Sequence, residues 1–286
     1  MNNIFKSTIF FFFFTSTIYS QNTIDLPKPS PSATIQQKIG HSDFTIKYSR
    51  PSKKERDIFG SLVPFDVRWR TGANERTSLS VSTSFVIGKD SIPAGDYAIF
   101  TIPHKESWDF IIYSEHEGWG ALRWDESKIV SKTNHKVKTL ANTVESFTID
   151  FKNLQNPNVA DLHLSWENTS VSVAIKLPTQ KISNKKIEEF INPHELNYRI
   201  IIIYYLQNDI KLDEVISLSD KVISIAKGSV DGFWGYHFKA MAYRKLNRNQ
   251  EKDLAIKNGI EYVNGLDAPK EDKEWLINVL QENKMM

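Results

Sequence analysis

Up to about residue 178, apolar and polar residues alternate over short runs; beyond it they take a helical spacing. The alternation is read at Phe44, Ile46 and Tyr48, at Leu79 and Val81, and at Phe147, Ile149 and Phe151. It returns at Leu162, Leu164 and Trp166, and at Val171, Val173 and Ile175. A period of two marks strands with one face buried and one wet. Turn-forming clusters separate the runs, among them Gly88-Lys89-Asp90, Pro103-His104 and Asn156-Pro157-Asn158, and Glu167-Asn168-Thr169-Ser170 reads as the bend of a terminal hairpin. Many short strands with no helical period between them predict an antiparallel β-sandwich or barrel-like domain. Pro27, Pro29 and Pro31 make 21–34 an extended lead-in to it.

The period changes between Pro178 and Lys186. Asn192 as an N-cap, Pro193 at the first helical position and Glu195 one turn in predict a helix over 194–207. Further helices are expected over 212–227, 233–246, 250–264 and 269–283, with Asp231, Asn249 and Asp267 as caps. Joined by short turns, they form a small all-α helical array. Ala240, Ala242, Tyr243 and Leu246, followed by Leu254, Ala255 and Ile260, resemble a tetratricopeptide-type pair, in which small residues let two helices approach. Such arrays need about three repeats for stability and this segment holds fewer, so a repeat-like tail and a plain bundle both stay open. The expected division is a signal peptide over 1–20, the lead-in over 21–34, the β-domain over 35–178, a linker over 179–191 and the helical tail over 192–286.

Residues 1–20 add an address. A polar stretch ending in Lys6 precedes an apolar block from Ile9 to Ile18 that includes Phe10 to Phe14, and Ser20 supplies the small residue a signal peptidase requires. The block falls short of the roughly 20 apolar residues of a membrane span. Cleavage near Ser20 would release an exported protein, periplasmic or secreted, with no membrane span in the mature chain. Cysteine is absent, which excludes disulfides, thiol nucleophiles and a lipid-bearing cysteine. Removing Lys6 leaves 35 Lys plus Arg against 34 Asp plus Glu, no electrostatic footprint for nucleic acid. The balance is uneven locally: Lys47 to Arg76 holds eight basic and four acidic residues. That favours either an anion-friendly surface or simply solvated charges.

Catalytic signatures are mostly missing. The chain has no G-x-S-x-G elbow, Walker loop or dinucleotide fingerprint. His194-Glu195 begins like a zinc-protease helix, but Tyr198 stands where the second ligand belongs. The other histidines lack ligand spacing. No metal and no cofactor are expected.

The densest polar motif runs from Tyr48 to Thr77. It contains Tyr48-Ser49-Arg50-Pro51, Arg56-Asp57-Ile58-Phe59-Gly60, Leu62-Val63-Pro64 and Trp69-Arg70-Thr71-Gly72-Ala73-Asn74-Glu75. Ile92-Pro93-Ala94-Gly95-Asp96-Tyr97, Phe100-Thr101-Ile102-Pro103, Trp108, Trp119-Gly120 and Trp166-Glu167-Asn168 follow. In this order and spacing the blocks resemble domain-of-unknown-function family 2911 over about residues 29 to 178. The resemblance implies an exported protein of a Bacteroidetes-type bacterium with a Gram-negative-type envelope; it supplies no reaction.

The candidate site residues are Arg50, Arg56, Trp69, Arg70, Asn74, Glu75, Trp119 and Glu167. Arginine is a rigid fork of donors suited to carboxylate or phosphate, and glutamate is its natural internal partner. In a functional reading, Arg50 and Arg70 clamp a small polar or anionic ligand or glycan beside Trp69 and Trp119, with Asn74 and Glu75 reading its hydroxyls. In a structural reading, Arg70 pairs with Glu75 or Glu167, Asn74 caps a turn and the tryptophans fill the core. The leading expectation is a binding or envelope-associated module whose helical tail contacts a protein partner. The alternative is a cell-envelope hydrolase using Glu75 and Glu167 as a carboxylate pair.

Overall fold

The computed structural model describes residues 26–121, 123–190 and 198–285; the predicted signal peptide and the helix start expected at 192–195 lie outside them. The chain divides into two units, Met1–Thr179 and Gln180–Met286.

Among the described residues the first unit forms nine strands: β1 (Ser32–Ile39), β2 (Ser42–Ser49), β3 (Thr77–Val81), β4 (Phe85–Ile87), β5 (Asp90–Ile92), β6 (Gly95–Pro103), β7 (Ser107–Tyr113), β8 (Ile129–Lys152) and β9 (Val159–Lys176). All pairings are antiparallel, in the order β1-β2-β3-β6-β7-β8-β9-β4-β5. The expected antiparallel β-domain is therefore present, with β1 starting inside the stretch read as lead-in.

β8 turns one sheet into two layers. Its first residues pair with β7 and its later ones with β9. Within the part paired with β9 the register slips twice, from Thr139 opposite Thr169 to Val144 opposite Glu167, then to Thr148 opposite Ser165. Such bulges bend and twist a strand. The two layers then close on each other: the Phe44 ring on β2 lies 5.2 Å from Phe151 on β8 and 6.1 Å from Phe85 on β4. The Tyr48 hydroxyl accepts from the Ile149 amide at 3.1 Å, tying the layers together.

The bend also corrects the hairpin expected at 167–170. β9 passes straight through that stretch, and Glu167 takes a left-handed conformation (φ 53°) opposite the β8 bulge. Polar residues there belong to a strand that stays paired with β8, with Ser170 buried and Asn168 exposed, rather than to a turn.

β6 and β7 gave no alternating signal because they are buried on both faces. Ile99, Trp108, Phe110 and Ile112 enter the main core, while Ala98, Phe100, Ile111 and Tyr113 form a second cluster under Trp124. Strands covered on both sides read as continuous apolar runs.

The second unit forms α1 (Thr179–Phe190), α2 (Tyr198–Asn208), α3 (Leu212–Ile225), α4 (Val230–Lys245), α5 (Asn249–Asn264) and α6 (Lys270–Met285). The helical array is as expected, but 179–190 is a helix rather than linker. Its only apolar side chains before Phe190 are Ile182 and Ile187, too few to draw a helical stripe, and Ile187 packs on the cluster formed by α2, α3 and α4. Glycines permit the close packing: a Cβ on Gly235 would sit 2.5 Å from Ile223. No described helix is long and apolar enough to cross a membrane.

Candidate functional site

The loop between β2 and β3, residues 50 to 76, carries most of the motif and has no regular strand or helix. It is held by borrowing two sheet edges. Near its start, Lys53 donates its amide to Glu145 O at 2.6 Å, and Phe147 donates to Pro51 O at 3.0 Å, using groups that the β8 bulge leaves off the ladder. Near its end, Trp69 exchanges amide and carbonyl with Thr101 at 2.7 and 2.9 Å, beyond the last β3 partner of β6.

Trp69 thereby enters the core. Its ring stacks on Trp166 at 5.9 Å and meets Phe147 at 5.0 Å and Trp108 at 6.0 Å, with its Nε1 donating to Gly72 O at 2.9 Å. These contacts match the core role considered for the tryptophans. Trp119 does not share it: it is 61 % exposed, with the Lys28 ammonium 5.5 Å from its ring centre.

The predicted polar residues separate into different neighbourhoods. Arg50 reaches across to β8, donating from Nε to Phe147 O (3.1 Å) and from Nη2 to Thr148 Oγ1 (2.8 Å). Arg56 is exposed and donates to the carbonyls of Ser52 and Lys53. Asn74, left-handed at φ 59°, donates to Ser30 O and Ser49 Oγ, both at 3.1 Å, pinning the lead-in. Glu75 pairs with Lys28, whose hydrogen bond holds its carboxyl below the usual carboxylate range. Glu167 lies 3.8 Å from Lys53. The expected pairing of Arg70 with Glu75 or Glu167 does not occur: both acids already hold a lysine.

Arg70 is left over. It is half-buried, its Nε is shut off from solvent without an acceptor, and burial pushes its guanidinium below the usual arginine pKa. Buried donors of this kind are rare enough that each asks for a reason. Arg70 lines a cavity of about 310 Å³ together with Arg56, Lys54, Val63, Trp69 and Trp166. The charged residues on that lining are Lys54, Arg56 and Arg70, all cationic. Of the residues singled out in the sequence, this cavity collects Arg56, Trp69 and Arg70. Lys54 was not singled out, although it stands in the basic excess between Lys47 and Arg76.

A larger depression, about 550 Å³, lies over the outer face of β1 to β3 and contains Glu75. Its lining mixes Lys47, Arg76 and His116 with Glu75 and Glu117, and Arg76 is already engaged through Nη1, which donates to Glu115 O and Glu117 O at 2.9 and 2.8 Å. Among the described residues, no cluster of three or more acidic, histidine or cysteine side chains comes together to hold a metal ion.

No curated protein and no solved structure matches the chain. One family does, over residues 30–175, a stretch that runs from the lead-in into β9 and takes in every residue of the Arg70 cavity lining except Pro29. By that match the chain belongs to the family described as protein of unknown function, DUF2911.

Proposed function

We propose that the protein is an exported binding module whose β-domain takes an anionic small ligand at Arg70. The observation that carries the reading is the unused guanidinium: a partly buried arginine without an acceptor among the described residues, in a cavity whose charged lining is cationic. A bound oxyanion would accept the hydrogen bonds the chain leaves unmade, and charge-assisted pairs of this type are among the stronger ones. Export is supported by the apolar block after Lys6 and the small residue at Ser20. The helical unit, read as tetratricopeptide-like, would serve a protein partner; its exposed Ile200 and Trp275 support that role.

The test is a thermal-shift panel of phosphate, sulfate, carboxylates, neutral sugars and divalent metals. A ligand that binds only the folded state raises the melting temperature by mass action. Anions should raise it in the native protein and leave Arg70→Gln unchanged. A shift by sugars or metals with none by anions, or equal anion shifts in both proteins, would refute the reading.

A further inference from the structure

We infer that the ligand of the Arg70 cavity is a two-part molecule: one oxyanion head on a compact apolar body, such as the carboxylate or phosphate ester of a flat hydrophobic group. This rests on the anion-binding reading above and names the class of ligand.

The cavity is divided chemically. Its cations are graded in depth, with Arg70 half-buried and Lys54 and Arg56 exposed at the mouth. Much of the rest of the lining is hydrocarbon: Pro51, Val63, Trp69 and Trp166 are buried, and Leu62 is 45 % exposed at the edge. The volume, about 310 Å³, is several times the share of one water molecule in the liquid, roughly 30 Å³. An inorganic ion would satisfy the guanidinium and leave most of that apolar wall facing water.

A neutral sugar fits worse. Hydroxyl groups need acceptors as well as donors, and apart from the hydroxyls of Ser30 and Ser52 the lining offers no side-chain acceptor: it has no Asp, Glu, Asn or Gln. Three carbonyls of the lining already accept a hydrogen bond from the chain. Gly72 O accepts from Trp69, Ser30 O from Asn74 and Ser52 O from Arg56. The site is rich in donors and apolar surface and poor in acceptors. An oxyanion asks only for donors, and an apolar body asks for neither. Small-molecule sites are commonly apolar clefts with a few placed polar groups, and this is the anionic version of that arrangement.

The test is calorimetric titration of the full chain with phenyl phosphate and benzoate as two-part probes. Inorganic phosphate and acetate serve as heads alone, benzyl alcohol as the body alone and glucose as a neutral polyol. At least one two-part probe should bind roughly tenfold or more tightly than both its head and its body. Phosphate against carboxylate then identifies the head. Arg70→Gln should abolish that binding, and Leu62→Asn should weaken the two-part probe while leaving its head unchanged. Arg70 makes no hydrogen bond to any described residue, so its variant should fold; if it does not, Arg56→Gln, which should weaken every anionic probe, replaces it. Heads that bind as well as two-part probes would overturn the two-part ligand and leave the anion site standing. Tighter binding of benzyl alcohol or glucose, or no binding of any probe, would overturn both.

Discussion

Replacing Arg70 by methionine should stabilise the β-domain, whereas the same replacement at Arg50 should destabilise it. A buried polar group without a partner costs about 1 to 3 kcal/mol. Only part of the Arg70 guanidinium is withdrawn from solvent, so the lower end of that range applies. Methionine keeps much of the apolar stem and removes the orphaned Nε together with one of three neighbouring cations. A gain of about 1 kcal/mol is expected, equivalent to roughly 2 to 4 °C in melting temperature for a domain of 150 to 250 residues. Arg50→Met removes the donors that serve Phe147 O and Thr148 Oγ1, at a cost of about 1 to 3 kcal/mol. Urea unfolding followed by near-ultraviolet circular dichroism reads both, with the slope unchanged and the midpoints moving in opposite directions. Equal losses in the two variants would mean that Arg70 has a structural partner and is not held open for a ligand. A stabilising loss of binding is also the expected signature of a site that stores strain for function.

Two predictions concern other parts of the molecule. Gly40 turns β1 into β2 at φ +57°, and a Cβ there would lie 2.2 Å from Thr179 Oγ1 and 2.7 Å from Pro157 O, so Gly40→Ala should cost more than about 2 kcal/mol in urea unfolding. A wild-type-like midpoint would show that the turn can relax. Burial pushes His237 in α4 down to about 4, whereas the unfolded chain titrates near 6.5. Its depressed folded-state pKa means that the unfolded chain takes up the proton first as pH falls. The helical unit should therefore keep full stability above about pH 6.5 and lose about 3 kcal/mol by pH 4, a slope that His237→Gln should flatten in pH-dependent unfolding.

Legibility in the sequence followed how local the cause of each feature was. β2 and β3 have a wetter face, and β9 alternates polar with apolar residues even where His163 and Ser165 are buried, so alternation along the strand itself gave them away. β6 and β7 did not, because Trp124 and Ala121 come from a later loop to cover their second face. The β8 bend was invisible for the same reason: a bulge is a mismatch with a partner strand, and neither strand carries it alone. The candidate site follows this rule at finer grain. The types of residue, arginines beside tryptophans, were readable; the assignment of each arginine was not. Five arginines lie between residues 50 and 76, and the structural reading from sequence looked for a carboxylate to pair with Arg70. Four of them donate to backbone carbonyls, Arg50 to Phe147, Arg56 to Ser52 and Lys53, Arg68 to Ala121, and Arg76 to Glu115 and Glu117, and among the described residues only Arg76 of these four also meets a carboxylate, that of Glu115. A carbonyl acceptor belongs to every residue and is marked by none, so folding alone decides which arginine is consumed. The Nε of Arg68 and Arg76 lacks an acceptor too, but both donate through their Nη atoms; Arg70 is the one that makes no hydrogen bond to any described residue, and only the placement of 50–76 across β6 and β8 could have singled it out.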